Sequence, residues 1–115
     1  MLLVLVEHDR GTLSEATLEA ITAARGLADR LGLLMHAAVL VGPAGDDAVA
    51  EPLAHAIAHH GVATTHVVRH ELLADYGPEA WGEALAQLAD AASASVVMAT
   101  GTDRGNEVLA QLAAR

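Results

Sequence analysis

The segment from Thr100 to Asn106, with the sequence TGTDRGN, has the composition of a turn that could bind an anion. It follows an apolar run and precedes a helical pattern, so glycines at both ends would let backbone N–H groups approach a phosphate. The glycine spacing is GxxxG, which matches neither the dinucleotide fingerprint GxGxxG nor the P-loop pattern GxxxxGK[ST]. An ordinary strand-to-helix turn capped by a Thr or Asp side chain is the alternative.

A second candidate group, Glu7-His8-Asp9, follows the apolar start of the chain. The pair Glu7 and His8 could work as acid and base in a pocket, or the three residues could form a solvated polar loop. The sequence contains no nucleophile elbow and no paired acidic motif, so it predicts no catalytic residue. The candidate binding residues are therefore Glu7, His8, Gly101, Thr102, Arg104, Gly105 and Asn106.

Histidines form a third candidate group. His55 and His59 are four residues apart, so on a helix they share a face and could ligate a metal. The pattern is not HExxH, because Ala56 follows His55, and we expect no carboxylate of this helix as a third ligand. Solvated surface histidines are the preferred interpretation, also for His60, His66 and His70. The sequence predicts no metal site.

Composition excludes several classes of protein. The chain has 115 residues, which indicates one domain, and no cysteine, which excludes disulfides and thiolate metal sites. All six basic residues are arginine, against 15 acidic residues, and the formal net charge of −9 disfavours nucleic acid as a partner. The apolar start, residues 1–6, is too short to cross a membrane and lacks a basic n-region, so we expect a cytoplasmic protein.

Apolar runs and helical patterns alternate along the chain. Continuous apolar runs of strand length are typical of strands buried on both faces of a parallel sheet. Ser14 is a predicted N-cap, Gly32 a predicted C′ glycine, and Asp46-Asp47 a predicted cap of the second helix. The predicted strands are 2–6, 33–41, 64–69 and 95–100, and the predicted helices are 14–31, 47–60, 78–92 and 106–115.

This order, β-α-β-α-β-α-β-α, predicts a three-layer, Rossmann-like α/β domain with a parallel sheet and right-handed crossovers. The long segment 70–77 could carry the chain across the sheet, which favours the strand order 3-2-1-4 with the first strand central. Ligands of such sheets bind beyond the carboxyl ends of the strands, where the candidate residues lie. An unpaired strand at the C-terminal end would favour homodimerisation or β-augmentation.

Two segments resemble the N-terminal domain of electron transfer flavoprotein alpha subunits, the ETF-alpha and FixB family. Residues 3–13 (LVLVEHDRGTL), with Thr17-Leu18-Glu19 and Ala23-Ala24-Arg25, are similar to that family's first strand, Glu-His turn and first helix. Residues 75–81 (DYGPEAW) and 99–107 (ATGTDRGNE), continued by residues 112–115, are similar to its Tyr-x-Pro-Glu segment and signature turn. Two departures are Asn106, where the family usually has Arg or Lys, and Ala110, where it has Pro.

The resemblance implies an electron carrier rather than an enzyme. Family members are alpha–beta heterodimers that take electrons from flavin dehydrogenases and pass them on through FAD. It implies a fold related to the adenine nucleotide hydrolase and stress-protein group, with most FAD contacts in a C-terminal domain absent from residues 1–115. We therefore expect a scaffold and interface domain without FAD of its own. The alternative is a free-standing adenine-nucleotide-binding module like the universal stress proteins. Those proteins carry a Gly-x-x-Gly turn, whereas the turn in this chain, from Gly101 to Gly105, is one residue longer.

Overall fold

The computed structural model describes residues 1–43 and 47–115. Ala44, Gly45 and Asp46 lie outside the described residues, and Asp46 belongs to the predicted cap of the second helix. In chain order the elements are β1 (Leu2–Leu5), β2 (His8–Asp9), β3 (Thr12–Leu13), α1 (Glu15–Leu31), β4 (Met35–Val41), α2 (Asp47–Ile57), β5 (Thr64–Arg69), α3 (Pro78–Ala91), β6 (Val96–Met98) and α4 (Asp103–Ala113), with 3₁₀ turns at Ala58–His60 and Glu71–Leu73.

Four of these strands form one parallel sheet in the order β5-β4-β1-β6. This confirms both the α/β class and the predicted order 3-2-1-4, with the first strand central. Leu2 lies opposite Met35 on one side and Val96 on the other. All four residues of β1 are buried, because helices cover both faces of the sheet.

Alternation along β1 divides the core into two layers. Leu2, Val4 and Val6 face α1 and α2, whereas Leu3 and Leu5 face α3 and α4. Each layer is filled mainly by Leu, Val, Ile and Ala, so the helices can pack close to the sheet. The largest side chain of the second layer is Trp81, which is 5% exposed.

Local signals in the sequence fix the ends of α1. The Ser14 hydroxyl accepts a hydrogen bond from the Thr17 amide at 3.2 Å, and Gly32 adopts a left-handed conformation with φ 69°. Both predicted caps are confirmed. The positive φ is a conformation that glycine adopts at little cost, which is why it closes the helix.

Several predicted boundaries are wrong. The last helix begins at Asp103, not Asn106, because the Thr102 hydroxyl caps it by accepting from the Gly105 amide at 3.1 Å. The second helix changes to a 3₁₀ turn after Ile57. β1, β4 and β6 are shorter than predicted, whereas β5 has the predicted bounds. A 3₁₀ turn interrupts the predicted loop 70–77.

The structure adds a short antiparallel hairpin, β2–β3, that the sequence analysis did not predict. Its turn residues Arg10 and Gly11 have φ values of 51° and 93°. Positive φ at both central residues is what a type I′ hairpin turn requires. The hairpin positions His8 directly above the carboxyl end of the sheet. Within residues 1–43 and 47–115, no helix combines the length and apolar character needed to cross a membrane.

Candidate functional site

Glu7 joins the carboxyl end of β1 to the start of α4. Its Oε1 accepts a hydrogen bond from the Thr102 hydroxyl at 2.6 Å. The same hydroxyl oxygen accepts from the Gly105 amide, so Thr102 donates to Glu7 while it caps the helix. The Glu7 carboxylate therefore lies at the positive end of the α4 dipole, where negative charge is stabilising.

The backbone of Glu7 also forms a hydrogen bond with α1, on the opposite face of the sheet from α4. Its carbonyl oxygen accepts from the Thr17 hydroxyl at 2.8 Å, and Thr17 is buried in the first turn of α1. The N-termini of α1 and α4 thus converge on one residue at the end of the central strand. Hydroxyl side chains make these contacts, which fixes the position of the Glu7 carboxylate.

His8 clamps β1 to β4. Its Nε2 lies 3.0 Å from the Leu40 carbonyl oxygen, and its Nδ1 accepts from the Gly11 amide at 3.1 Å. Since Nδ1 is an acceptor here, the proton is on Nε2 and is donated to Leu40. Both ring nitrogens are engaged, so this arrangement leaves His8 no free nitrogen to act as a general base.

Gly105 is a packing glycine. A Cβ on this residue would lie 3.0 Å from the Thr100 carbonyl carbon and closer still to its oxygen. Thr100 follows β6 closely, so the first turn of α4 packs directly on the backbone at the carboxyl end of that strand. The amides of Gly105 and Asn106, predicted as anion donors, already bond to the side chain and carbonyl of Thr102.

An aromatic group forms the wall of the site beside α4. The Arg104 guanidinium lies 4.5 Å from the centroid of the Tyr76 ring, a cation–π geometry. The Tyr76 and Trp81 rings meet edge to face at 5.4 Å, and the Trp81 indole donates to the Asp75 carbonyl. Burial raises the pKa of Tyr76 to about 12, and its hydrogen bond to Glu107 at 3.1 Å adds to the rise.

These groups border a cleft of about 420 Å³ at the carboxyl ends of β1 and β4. Its floor is apolar, from Leu40, Val41 and Leu73, and its rim carries Arg10 and Arg104. Arg10 pairs loosely with Asp75 at 3.9 Å. The size lies within the range of small-molecule sites. Charges of both signs at the rim give the cleft no strong preference for an anion.

The structure brings part of the predicted site together. Glu7 and Thr102 are in contact, and Glu7, His8 and Arg104 line a neighbouring cleft of about 270 Å³. Gly105 is in the packing position described above. Gly101 and Asn106 are exposed and line neither of these two clefts. Ligand binding by these residues stays a prediction.

The histidines do not form a metal centre among the described residues. His55 and His59 share a helical face with ring centroids 6.1 Å apart. Glu51 lies one turn before His55 and lines the same surface depression. His70 caps the following 3₁₀ turn by accepting from the Leu72 amide.

A different histidine pair was not predicted. His36 Nδ1 and His66 Nε2, on neighbouring strands, are 2.9 Å apart, so one ring donates a proton to the other. Burial lowers the pKa of His36, and the nearby His66 ring and amino terminus lower it further. This contact depends on strand register, which the sequence does not reveal. The aromatic wall could have been predicted from the sequence, because Tyr76 and Trp81, the two aromatic residues of the chain, both lie within residues 75–81.

Solved structures define the class of fold. A universal stress protein family member from Burkholderia pseudomallei matches with a TM-score of 0.60 over 96% of this chain and 89% of that one, at 18% identity. A universal stress protein in complex with cAMP matches with a TM-score of 0.54 over 98% and 88%, at 22% identity. At these identities the likeness shows the fold alone, a Rossmann-like α/β domain of the stress-protein type.

Sequence comparison identifies the family. Residues 2–115 match the electron transfer flavoprotein domain. The electron transfer flavoprotein subunit alpha of Mycobacterium tuberculosis H37Rv is 36% identical over 113 residues, which are 98% of this chain and 33% of that protein. Protein FixB of Azotobacter vinelandii is 28% identical over 96% of this chain and 30% of its own length. The chain belongs to the electron transfer flavoprotein domain family and spans about a third of these relatives.

Proposed function

We propose that this chain is the scaffold and interface domain of an alpha-type electron transfer flavoprotein, a carrier that passes electrons from flavin dehydrogenases onward through FAD. The match of residues 2–115 to the family domain carries this proposal. The relatives with matching sequence are alpha subunits and FixB proteins. In this role the domain contributes shape and contacts rather than a catalytic group, in keeping with a His8 ring whose two nitrogens are both engaged.

We expect FAD to be held mainly outside this chain, because the residues of the cleft fit it poorly. A pyrophosphate needs free donors, yet the Gly105 amide is already capped by Thr102. The Glu7 carboxylate would face that pyrophosphate with like charge. An isoalloxazine also needs a slot with apolar or aromatic walls, and a cleft of about 420 Å³ is small for the whole cofactor.

The partners under this proposal are an electron transfer flavoprotein beta-type subunit and flavin dehydrogenases, in the cytoplasm. The carboxyl edge of the sheet offers residue types common in protein interfaces, namely Tyr76, Arg10 and Arg104, with the buried Trp81 ring packed against Tyr76. The residues that contribute most to binding in an interface are often well-packed aromatic side chains, surrounded by residues that exclude water.

The test uses the purified chain with a beta-type subunit. We expect the two to co-elute in size-exclusion chromatography, while the chain alone shows no flavin band at about 450 nm even after expression with added FAD. Arg10→Ala should weaken co-elution, and Arg30→Ala, at the distant end of α1, is the matched control. Stoichiometric yellow protein from the chain alone, or no co-elution, would contradict the proposal.

A second candidate is a nucleotide-binding module of the stress-protein type, favoured by the cleft at the carboxyl ends of β1 and β4. One structural neighbour is described in complex with cAMP. With Glu7 at the α4 N-terminus, we expect AMP to bind with millimolar affinity or worse, about 4 kcal/mol or less. Titration of AMP followed by NMR tests this. Micromolar binding with shifts at residues 102–106 would favour the nucleotide-binding function instead.

A further inference from the structure

Two histidine rings join β4 to β5 on the face of the sheet that α3 covers. His36 Nδ1 lies 2.9 Å from His66 Nε2, and the rings are stacked with their centroids 5.1 Å apart. In the register of the two strands His36 is opposite Thr64 and His66 is opposite Ala38, so the contact runs diagonally across the pair. Both rings are partly buried. A titratable side-chain contact is thus added to the backbone hydrogen bonds that hold β5 on β4.

The surroundings of this pair disfavour positive charge. The layer between this face of the sheet and α3 is apolar, with Leu3 of β1 opposite His36 and Leu88 on α3. Among the described residues, the charged groups that act on His36 are the His66 ring and the amino terminus, which are cations when protonated. Asp90, near the carboxyl end of α3, is exposed and is not one of these groups. No described carboxylate therefore offsets a proton on His36.

The contact between the rings can hold one added proton but not two. With both rings neutral, the N–H of one donates to the lone pair of the other. One proton from solvent leaves an imidazolium that donates to an imidazole, which is a stronger, charge-assisted bond. A second proton leaves both rings with donors only and places two like charges 2.9 Å apart, so the hydrogen bond is lost. While β4 and β5 stay together, the pair excludes this second proton.

β5 leads directly into the floor of the cleft at the carboxyl ends of β1 and β4. The His70 amide donates to the Val41 carbonyl at 3.2 Å, which extends the pairing of β4 with β5. The His70 ring then caps the 3₁₀ turn Glu71–Leu73 by accepting from the Leu72 amide. Leu73 is 3% exposed and lines the cleft. A displacement of β5 from β4 would therefore also move the cleft floor.

We propose that the His36–His66 pair is a pH-sensitive contact that holds β5 on β4, and that acid breaks it and releases β5 together with the cleft floor. Once β5 has separated, the two rings are solvated and titrate near the ordinary histidine pKa of about 6.5. The paired state binds fewer protons below that pH. The population with β5 separated should therefore grow by up to about tenfold for each pH unit below about 6.5.

The test is amide hydrogen exchange of the chain at about pH 7.5 and about pH 5.5, with each rate divided by the rate of an unstructured peptide at the same pH. We expect the protection of β5 and of residues 72–73 to fall by about fivefold to tenfold at the lower pH. β5 should also be less protected than β1 at that pH, because it opens without unfolding the sheet.

Two variants show whether this pair is the cause. His36→Gln should abolish the fall in protection, because a glutamine amide can hydrogen-bond to His66 in either protonation state. His59→Gln, at an exposed position outside the pair, is the matched control and should retain the fall. Imidazole NMR titration of the unsubstituted chain gives a measurement that does not depend on a variant. One of the seven histidines should titrate below the others.

Three results would overturn the proposal. The first is equal protection of β5 and β1 at the lower pH, which would mean that acid lowers only the stability of the whole domain. The second is a fall in protection that persists in His36→Gln, and the third is titration of all seven histidines near pH 6.5. A fall confined to β5 that does not reach residues 72–73 would refute the link to the cleft floor.

Discussion

Replacing Gly105 with alanine tests whether α4 begins directly on the end of the central sheet. The added Cβ would lie 3.0 Å from the Thr100 carbonyl carbon, and closer to its oxygen, where only backbone could move aside. The first turn of α4 would have to shift away from the strand, which also disturbs the Thr102 cap. We expect a loss of about 3 kcal/mol, the upper end of the usual cost of overpacking.

Thermal unfolding at fixed protein concentration measures this loss. For a domain of this size, 1 kcal/mol corresponds to about 4 °C, so Gly105→Ala should lower Tm by about 12 °C. Gly26→Ala is the matched control, because Gly26 lies inside α1 with open space where a Cβ would be added. Alanine is the better helix former, so this control should raise stability by about 0.5–1 kcal/mol. A loss below about 1 kcal/mol for Gly105→Ala, within the ordinary spread for a point mutant, would refute the close packing of α4 on the strand.

Three further measurements test single contacts. Thr102→Ala removes the cap and the bond to Glu7 and should cost about 1–2 kcal/mol in urea unfolding, whereas Thr102→Ser should lose much less; equal losses would contradict the capping role. Because the pKa of His36 is lowered in the folded state, its contribution to stability is complete above pH 6.5 and is lost as pH falls through the folded pKa, with a slope of at most about 1.4 kcal/mol per pH unit. His36→Gln should flatten that part of the profile, and an unchanged profile would contradict it. Tyr76, whose pKa is raised to about 12, should ionise well above 10 by ultraviolet titration, so folding loses stability as pH rises from 10 toward 12, and Glu107→Gln should lower the midpoint.

Features encoded by neighbouring residues could be predicted from the sequence. The apolar run at residues 2–6 and the caps Ser14 and Gly32 act locally, so the local sequence pattern was enough to predict β1 and both ends of α1. The β2–β3 hairpin was missed because its turn uses Arg10 at positive φ, where Asn, Asp or Gly is the usual signal. The start of α4 was placed too late because a turn with two glycines looks irregular until the Thr102 cap is seen.

Contacts that depend on register could not be predicted in the same way. Glu7 and the turn before α4 both follow strands of the predicted parallel sheet, which places them at the same edge, and their hydrogen bond agrees with that prediction. The bond between His36 and His66 needs a diagonal relation across β4 and β5 that no local pattern encodes. The cleft likewise depends on how segment 75–81 folds back over β1 and β4.

The central position of β1 has a consequence for the order in which the chain can fold. β1 is synthesised before both of the strands that must flank it, and Leu2 pairs with Val96, which lies far along the chain. Until β6 has been synthesised, one edge of an entirely apolar strand has no partner within the sheet. Long sequence separation between paired strands slows folding and prolongs the exposure of apolar, aggregation-prone segments. We therefore expect nascent chains that stop before residue 95 to depend on chaperones, and chains that include β6 to be released from them.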